Sequence, residues 1–247
     1  MMTDITVHLL HEMIMRFVVS PARLKAMVML LLCLKKGWVF VKQSASHRES
    51  LTRAAKYYHS ALHEAEDYLA ERGITLEQAQ KARLGVVLDP LTGHEQYANR
   101  LSIPYVTRSG VVDLRFRAIG HEEPKYMGLA GATTHLYNVG AFFRATTYIC
   151  ICEGEIDTIT LDTVCNIPAV GVPGVNNWKK HYTRLLADFD KVFLFSDGDN
   201  AGAEFAKSLS RELSNLVNIQ MPEGEDVNSM YRTHGVEFFK NKILSAQ

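Results

Sequence analysis

Three short stretches put carboxylates where they could hold a divalent cation: Glu153-Gly154-Glu155-Ile156-Asp157, Asp197-Gly198-Asp199 and Glu225-Asp226. Each follows a short apolar run, TYICIC, VFLFS and VNIQM, of the kind that forms a buried strand. Two anions one residue apart repel unless water screens them or a cation holds them. Taken singly, each stretch has an ordinary explanation, either a solvated Asp-Gly turn or acids attracted to a helix N-terminus. What they share is an address. In open α/β sheets the ligand lies outside the carboxyl ends of the strands. Carboxylates converging there suit a hard, oxygen-seeking ion such as Mg²⁺ or Mn²⁺. Such an ion shares its coordination with phosphate oxygens, which makes phosphodiester chemistry its natural partner. Glycines 154, 198 and 202 would let backbone and ligand approach closely.

The elements that must position these acids alternate in type. From Thr147 onward, TYICIC is followed by a helix from about Ile156, then PAVGV, a helix through WKKHYTRLLADF, VFLFSD, a helix through Leu213, VNIQM and a final helix. Alternation of this kind implies a parallel sheet with helical crossovers. Between Ala98 and Met127 the chain is strand-rich, with Arg108-Ser109-Gly110 placed as a hairpin turn. Further upstream, Leu51, Ala55, Tyr58, Leu62, Ala65 and Leu69 recur at helical spacing and predict one amphipathic helix over 47–69, ended by Gly73. Thr75 and Gln78 predict a capping box at the start of a helix that stops at Gly85. The fold class expected is α/β, α+β overall. It comprises a helical extension over 1–45, a smaller strand-containing basic subdomain over 46–146 that begins with helices, and a parallel-sheet domain over 147–247.

The chain has 247 residues, 47% of them hydrophobic, enough for one large core or two small ones. Lysine plus arginine and aspartate plus glutamate number 27 each, so no overall charge excess marks a nucleic-acid binder. The distribution is uneven: residues 1–125 hold 17 basic and 13 acidic side chains, residues 126–247 hold 10 and 14. A basic part followed by an acidic part suits a polyanion groove beside a metal centre. Cys33, Cys150, Cys152 and Cys165 have no paired zinc-ribbon spacing and read as reduced thiols in a cytoplasmic protein. The apolar run Ala26 to Leu34 is too short to span a bilayer and reads as a buried or partner-facing helix.

CEGEID and FSDGDNAG resemble E-G-x-x-D and D-x-D-x-A-G, the two signature motifs of the Toprim domain of primases, type IA and type II topoisomerases and some nucleases. The resemblance implies that Glu153 is a general acid/base or metal ligand and that Asp157, Asp197 and Asp199 serve the metal site. NRLSIPYVTRSGVVDLRFRAIG and PKYMG resemble the basic module that precedes Toprim in bacterial DnaG-type and bacteriophage primases. By that likeness Arg100 and Lys125 face the template or the incoming nucleotide. Arg115 and Arg117, alternating along one strand, either extend that basic face or are simply solvated. PEGEDVNSMYRTHG resembles the late acidic motif G-x-D-P-D, which makes Asp226 a further metal ligand; Asn228 stands where the second aspartate would be, as a weaker, neutral ligand. The chain departs from the bacterial pattern in having no lysine between Lys125 and Lys179 and no zinc domain.

The function implied is a DNA primase catalytic core. It would synthesise short RNA primers on single-stranded DNA from ribonucleoside triphosphates by metal-dependent nucleotidyl transfer. Mg²⁺ or Mn²⁺ is the expected cofactor and zinc is not. A separate helicase or zinc-domain protein is a possible partner, and the cytoplasm, that of a bacterial host for a phage protein, is the expected location. Two alternatives stay open: a Toprim nuclease or topoisomerase-related fragment, and a non-catalytic DNA-binding Toprim protein of the recombination-mediator type. The full set of Glu153, Asp157, Asp197 and Asp199 argues against the second.

Overall fold

The computed structural model describes residues 43–174 and 177–246. Most of the expected helical extension over 1–45, with Cys33 and the apolar run around Met27 to Leu34, lies outside the described residues. Residues 43–247 make up one compact unit.

Within it are two four-stranded sheets. Helix α1 (Ala45–His59) is capped by Ser44, whose Oγ accepts from the His47 N–H. The single helix expected over 47–69 is broken: α1 ends at His59, a tight turn covers Leu62–Ala65, and α2 runs over Glu66–Glu71. The cause lies elsewhere in the chain. Gly85 presses against the Tyr58 backbone where a Cβ would collide, and His59 Nδ1 pairs with the Leu84 carbonyl at 2.5 Å. The helix yields to the strand beside it. Helix α3 (Leu76–Lys81) starts in the expected Thr75/Gln78 capping box. It ends at Lys81, before Arg83 turns the chain with φ +57°, rather than at Gly85, which opens β1 (Gly85–Val86).

The first sheet is antiparallel, in the order β1, β2 (Arg100–Thr107), β3 (Gly110–Ala118), β4 (Tyr126–Gly128). The hairpin closes at Arg108-Ser109, with Thr107 opposite Gly110. One face, including Phe116 and Val111, packs on Leu51, Ala55 and Tyr58 of α1. The other, with Leu101, Ile103 and Tyr105, packs on Leu69, Ala79 and the helix that follows β5.

The second sheet is parallel, in the order β6 (Ala169–Gly171), β5 (Tyr148–Cys152), β7 (Lys191–Ser196), β8 (Leu216–Gln220). Its two faces divide by strict alternation. Ile149, Ile151, Val192 and Leu194 share one core, while Cys150, Cys152, Phe193 and Phe195 share the other. The three described cysteines are buried and free. Helices α4 (Glu155–Ile159), α5 (Lys180–Leu186) and α6 (Asn200–Leu209) are the crossovers. The single final helix expected is two, α7 (Val227–His234) and α8 (Val236–Ser245), divided by Gly235 at φ +70°. Among the described residues, no helix is long and apolar enough to cross a membrane.

Candidate active site

Three neighbouring strands deliver acids to one edge of the parallel sheet: Glu153 follows β5, Asp197 and Asp199 follow β7, and Asp226 lies beyond β8. Four of the carboxylates are each held by one oxygen on a backbone N–H. Glu153 Oε1 accepts from Asp197 N at 2.9 Å, Asp199 Oδ1 from Gly202 N at 2.7 Å, Asp157 Oδ1 from Asn228 N at 3.0 Å and Asp226 Oδ1 from Ser229 N at 2.7 Å. Asp199 and Asp226 thereby cap α6 and α7, so the ordinary helix-capping role and the site role fall on the same residues.

The glycines have separate physical reasons. A Cβ on Gly202 would stand 2.5 Å from the Asp197 carbonyl and 2.7 Å from Glu153 Oε1. A Cβ on Gly198 would run into the Pro222 carbonyl, because the Asp197 loop and the 222–225 loop are laced together. Gly198 N–H donates to Glu225 O, and Gly224 N–H to Gly198 O, both at 2.9 Å.

Burial pushes Asp157 up from its ordinary value to about 7, and the charges of Asp226 and Asp197 push the same way. Asp197 is likewise raised to about 7 by burial, then by Glu153, Asp226 and Asp199, with Lys125 pulling against them. Burial raises Glu153 too, helped by Asp199 and Asp157 and opposed by the Asp197 N–H. The acids of the three loops therefore share one field. Among the described residues, no group of three or more His, Cys, Asp or Glu side chains has the geometry to hold a metal ion as it stands. The donors nonetheless fit a hard cation. They are all carboxylates, they repel one another, and Asp197 Oδ1 is buried without a hydrogen-bond partner.

The expected basic residues are dispersed. Lys125 is exposed and lies close enough to Asp197 to lower its pKa. Arg117 is 5% exposed, over the rings of Tyr126 and Tyr68 and bonded to the Tyr126 hydroxyl, and it lowers the Asp157 pKa. Arg115 pairs with Glu155 Oε1 at 3.5 Å. Both arginines thus point at the acidic half of the molecule; a solvated strand face does not describe them. Arg100 is 5% exposed and its Nη1 donates to the Pro124 carbonyl at 2.7 Å, bracing the loop that carries Lys125. Asn228 is anchored through its amide nitrogen, while its Oδ1 is buried without a hydrogen-bond partner. It is 1% exposed, and its Nδ2 donates to the Arg72 carbonyl at 2.8 Å and to Thr160 Oγ1 at 3.0 Å.

Two participants escaped the sequence reading. Glu155, the unassigned middle of its motif, is 2% exposed and accepts from the Tyr105 hydroxyl at 2.7 Å, tying β2 to the start of α4. Tyr105 itself carried no signal beyond strand alternation.

Residues 150–231 match a family model described as Toprim-like. The chain is 41% identical over 152 residues to the Gene 57 protein of Mycobacterium phage D29, covering 60% of this chain and 99% of that one. It is 26% identical over 191 residues to a DNA primase of Pseudomonas putida, covering 71% of this chain but 28% of the primase. The chain belongs to the Toprim family of DnaG-type primase cores. Among solved structures, a DnaG primase catalytic domain bound to single-stranded DNA superposes with a TM-score of 0.68 at 20% identity, covering 82% of this chain and 80% of that one. The Toprim primase family is metal-dependent, in keeping with the donor set at this sheet edge.

Proposed function

We propose that this chain is the catalytic core of a DNA primase, joining ribonucleotides into short RNA primers on a single-stranded DNA template in the bacterial cytoplasm. One observation carries the reading: Glu153, Asp157, Asp197 and Asp226 meet from three strand ends in one electrostatic field, with the Lys125 ammonium beside them. The DnaG catalytic domain solved with single-stranded DNA supports the same template class.

Glu153, Asp157, Asp197, Asp199 and Asp226 are the residues that would hold Mg²⁺ or Mn²⁺. A bound divalent cation supplies neutralisation of the phosphoryl oxygens during displacement. The chain's own groups do the rest. With Oε1 engaged by the Asp197 N–H, Glu153 keeps Oε2 to accept the proton of the primer 3′-hydroxyl, and its raised pKa suits that task. Asp199 and Asp226 are fixed as helix caps, which orients their second oxygens without further cost. Lys125 meets the polyanion at the mouth of the site. From the antiparallel sheet, Arg115 pairs with Glu155 and Arg117 adds its positive charge to the field at Asp157.

The test is ribonucleotide incorporation on single-stranded DNA with Mg²⁺ or Mn²⁺. Wild-type protein makes short RNA products, and Asp197→Asn or Asp199→Asn abolishes them while leaving the circular dichroism spectrum unchanged. DNA cleavage without incorporation would replace this reading with that of a Toprim nuclease.

A further inference from the structure

On the β6 side of Glu153, the parallel sheet ends against a polar cluster with no role in the site described above. The chain leaving β6 runs along the Glu153 backbone, Gly174 N–H donating to the Glu153 carbonyl at 3.4 Å, and Asn177 N–H returns to the Gly174 carbonyl at 2.9 Å. A second segment is fixed to the same strand end, because Tyr137 and Gly171 exchange both backbone hydrogen bonds. The two segments meet at Thr134. Lys179 Nζ donates to the Thr134 carbonyl at 2.5 Å and the Tyr182 hydroxyl to the same oxygen at 3.2 Å, while the Thr134 hydroxyl donates to Asn177 Oδ1 at 3.3 Å.

Two histidines border this junction. His135 Nε2 lies 3.2 Å from Thr133 Oγ1, and the His181 ring packs on Tyr182 at 4.3 Å. Burial lowers the pKa of both, and the Lys179 charge lowers both further, which puts the three groups in one field. No carboxylate contributes to the His135 shift. Lys179, His135 and His181 are all half-buried. A lysine, the His135 imidazole, threonine hydroxyls and an amide form a setting for an oxyanion. It adjoins a group of carboxylates that by themselves repel every phosphate.

We propose that Lys179 and His135, with His181 beside them, take the triphosphate of the incoming ribonucleotide, an assignment that rests on the nucleotidyl-transfer reading above. In that reaction the 3′-oxygen loses its proton to Glu153 and bonds to the α-phosphorus. The bond from that phosphorus to the bridging oxygen breaks, and the electron pair leaves with pyrophosphate. The charge that grows on the departing group falls to Lys179, while the basic residues of the antiparallel sheet serve the template. A lysine from the β6–α5 connection thus supplies cationic charge to the 133–135 segment, which contains none of its own beyond His135.

Calorimetry with inorganic tripolyphosphate in EDTA isolates this site, because without metal the carboxylates cannot contribute. Lys179→Gln keeps a donor for the Thr134 carbonyl and removes only the charge. It should weaken tripolyphosphate binding and raise KM for the ribonucleotide by about tenfold or more, the scale of one charge-assisted hydrogen bond. Affinity for single-stranded DNA should be unchanged, and Lys179→Arg should restore tripolyphosphate binding. His135→Ala should weaken the same two quantities and serves if the Lys179 variants fail to fold. Unchanged tripolyphosphate affinity and KM in Lys179→Gln and His135→Ala overturn the assignment even if the wild type makes primers. If the wild type makes no RNA but tripolyphosphate binding still falls in Lys179→Gln, the primase reading fails and the anion subsite stands.

Discussion

Asp157 and Asp197 make the metal-free protein sensitive to pH in an unusual direction. Both are held near 7, above an ordinary value of 3.8, so the folded state binds these protons more tightly than the unfolded chain does. The stability this confers is complete below the unfolded pKa and is lost as pH rises through about 7. In EDTA the melting temperature should therefore fall between about pH 5.5 and about pH 8.5, and Asp197→Asn should flatten that fall. Mg²⁺ should restore stability at the alkaline end only; a metal-free Tm that climbs with pH over this range would refute the account. Glu153 and Glu155 differ in kind although two residues apart. Glu153→Gln should abolish synthesis with little change in Tm, since the amide oxygen can still accept from Asp197 N. Glu155→Ala should instead cost about 3 kcal/mol of stability, because it strands the Tyr105 hydroxyl and the Arg115 charge. Parallel denaturation and activity measurements on the two variants separate the roles.

Among the elements, the loops after β7 and β8 behave as one piece. Gly198→Ala should disrupt both, since the new methyl meets the Pro222 backbone rather than a side chain that can turn away. Loss of synthesis with a fall in stability of about 2 kcal/mol or more is expected, by the cost of overpacking. Asn228→Asp, which writes the usual aspartate of the motif into this chain, should not improve activity. It sets a carboxylate against the Arg72 carbonyl and Thr160 hydroxyl and should destabilise by about 1–3 kcal/mol, the range for a buried polar group that loses its partner. Strands β5, β7 and β8 and the acids beyond them were legible because each is a short, largely apolar run followed by carboxylates, a contrast that survives any packing. The break in the helix at Ser60 was not, because its cause is Gly85, distant in sequence. Nor was the inward turn of Arg115 and Arg117. Alternation along β3 puts them on one face but says nothing of what covers that face.

Across the described residues, the antiparallel sheet and its β3–β4 loop bring Arg115, Arg117 and Lys125 to the acids of the parallel sheet. Lys125→Ala should weaken binding to single-stranded DNA and reduce the salt slope of log K by about 0.7, one phosphate contact on a single strand. Arg100→Ala should mainly lower stability and leave that slope nearly intact, because its guanidinium is spent on the Pro124 carbonyl. Salt titrations of both variants, monitored by fluorescence anisotropy, compare the two directly. The hold on Asp157 reaches across a long stretch of sequence. The N–H that fixes it belongs to a residue 71 positions later, and the same residue grips the Arg72 carbonyl 156 positions earlier. On the ribosome, then, every other acid of the site emerges before the peptide that locks Asp157 in place. A nascent chain thus carries the acids of the site before it carries the residue that fixes Asp157, and that carboxylate gains its hold only once α7 docks.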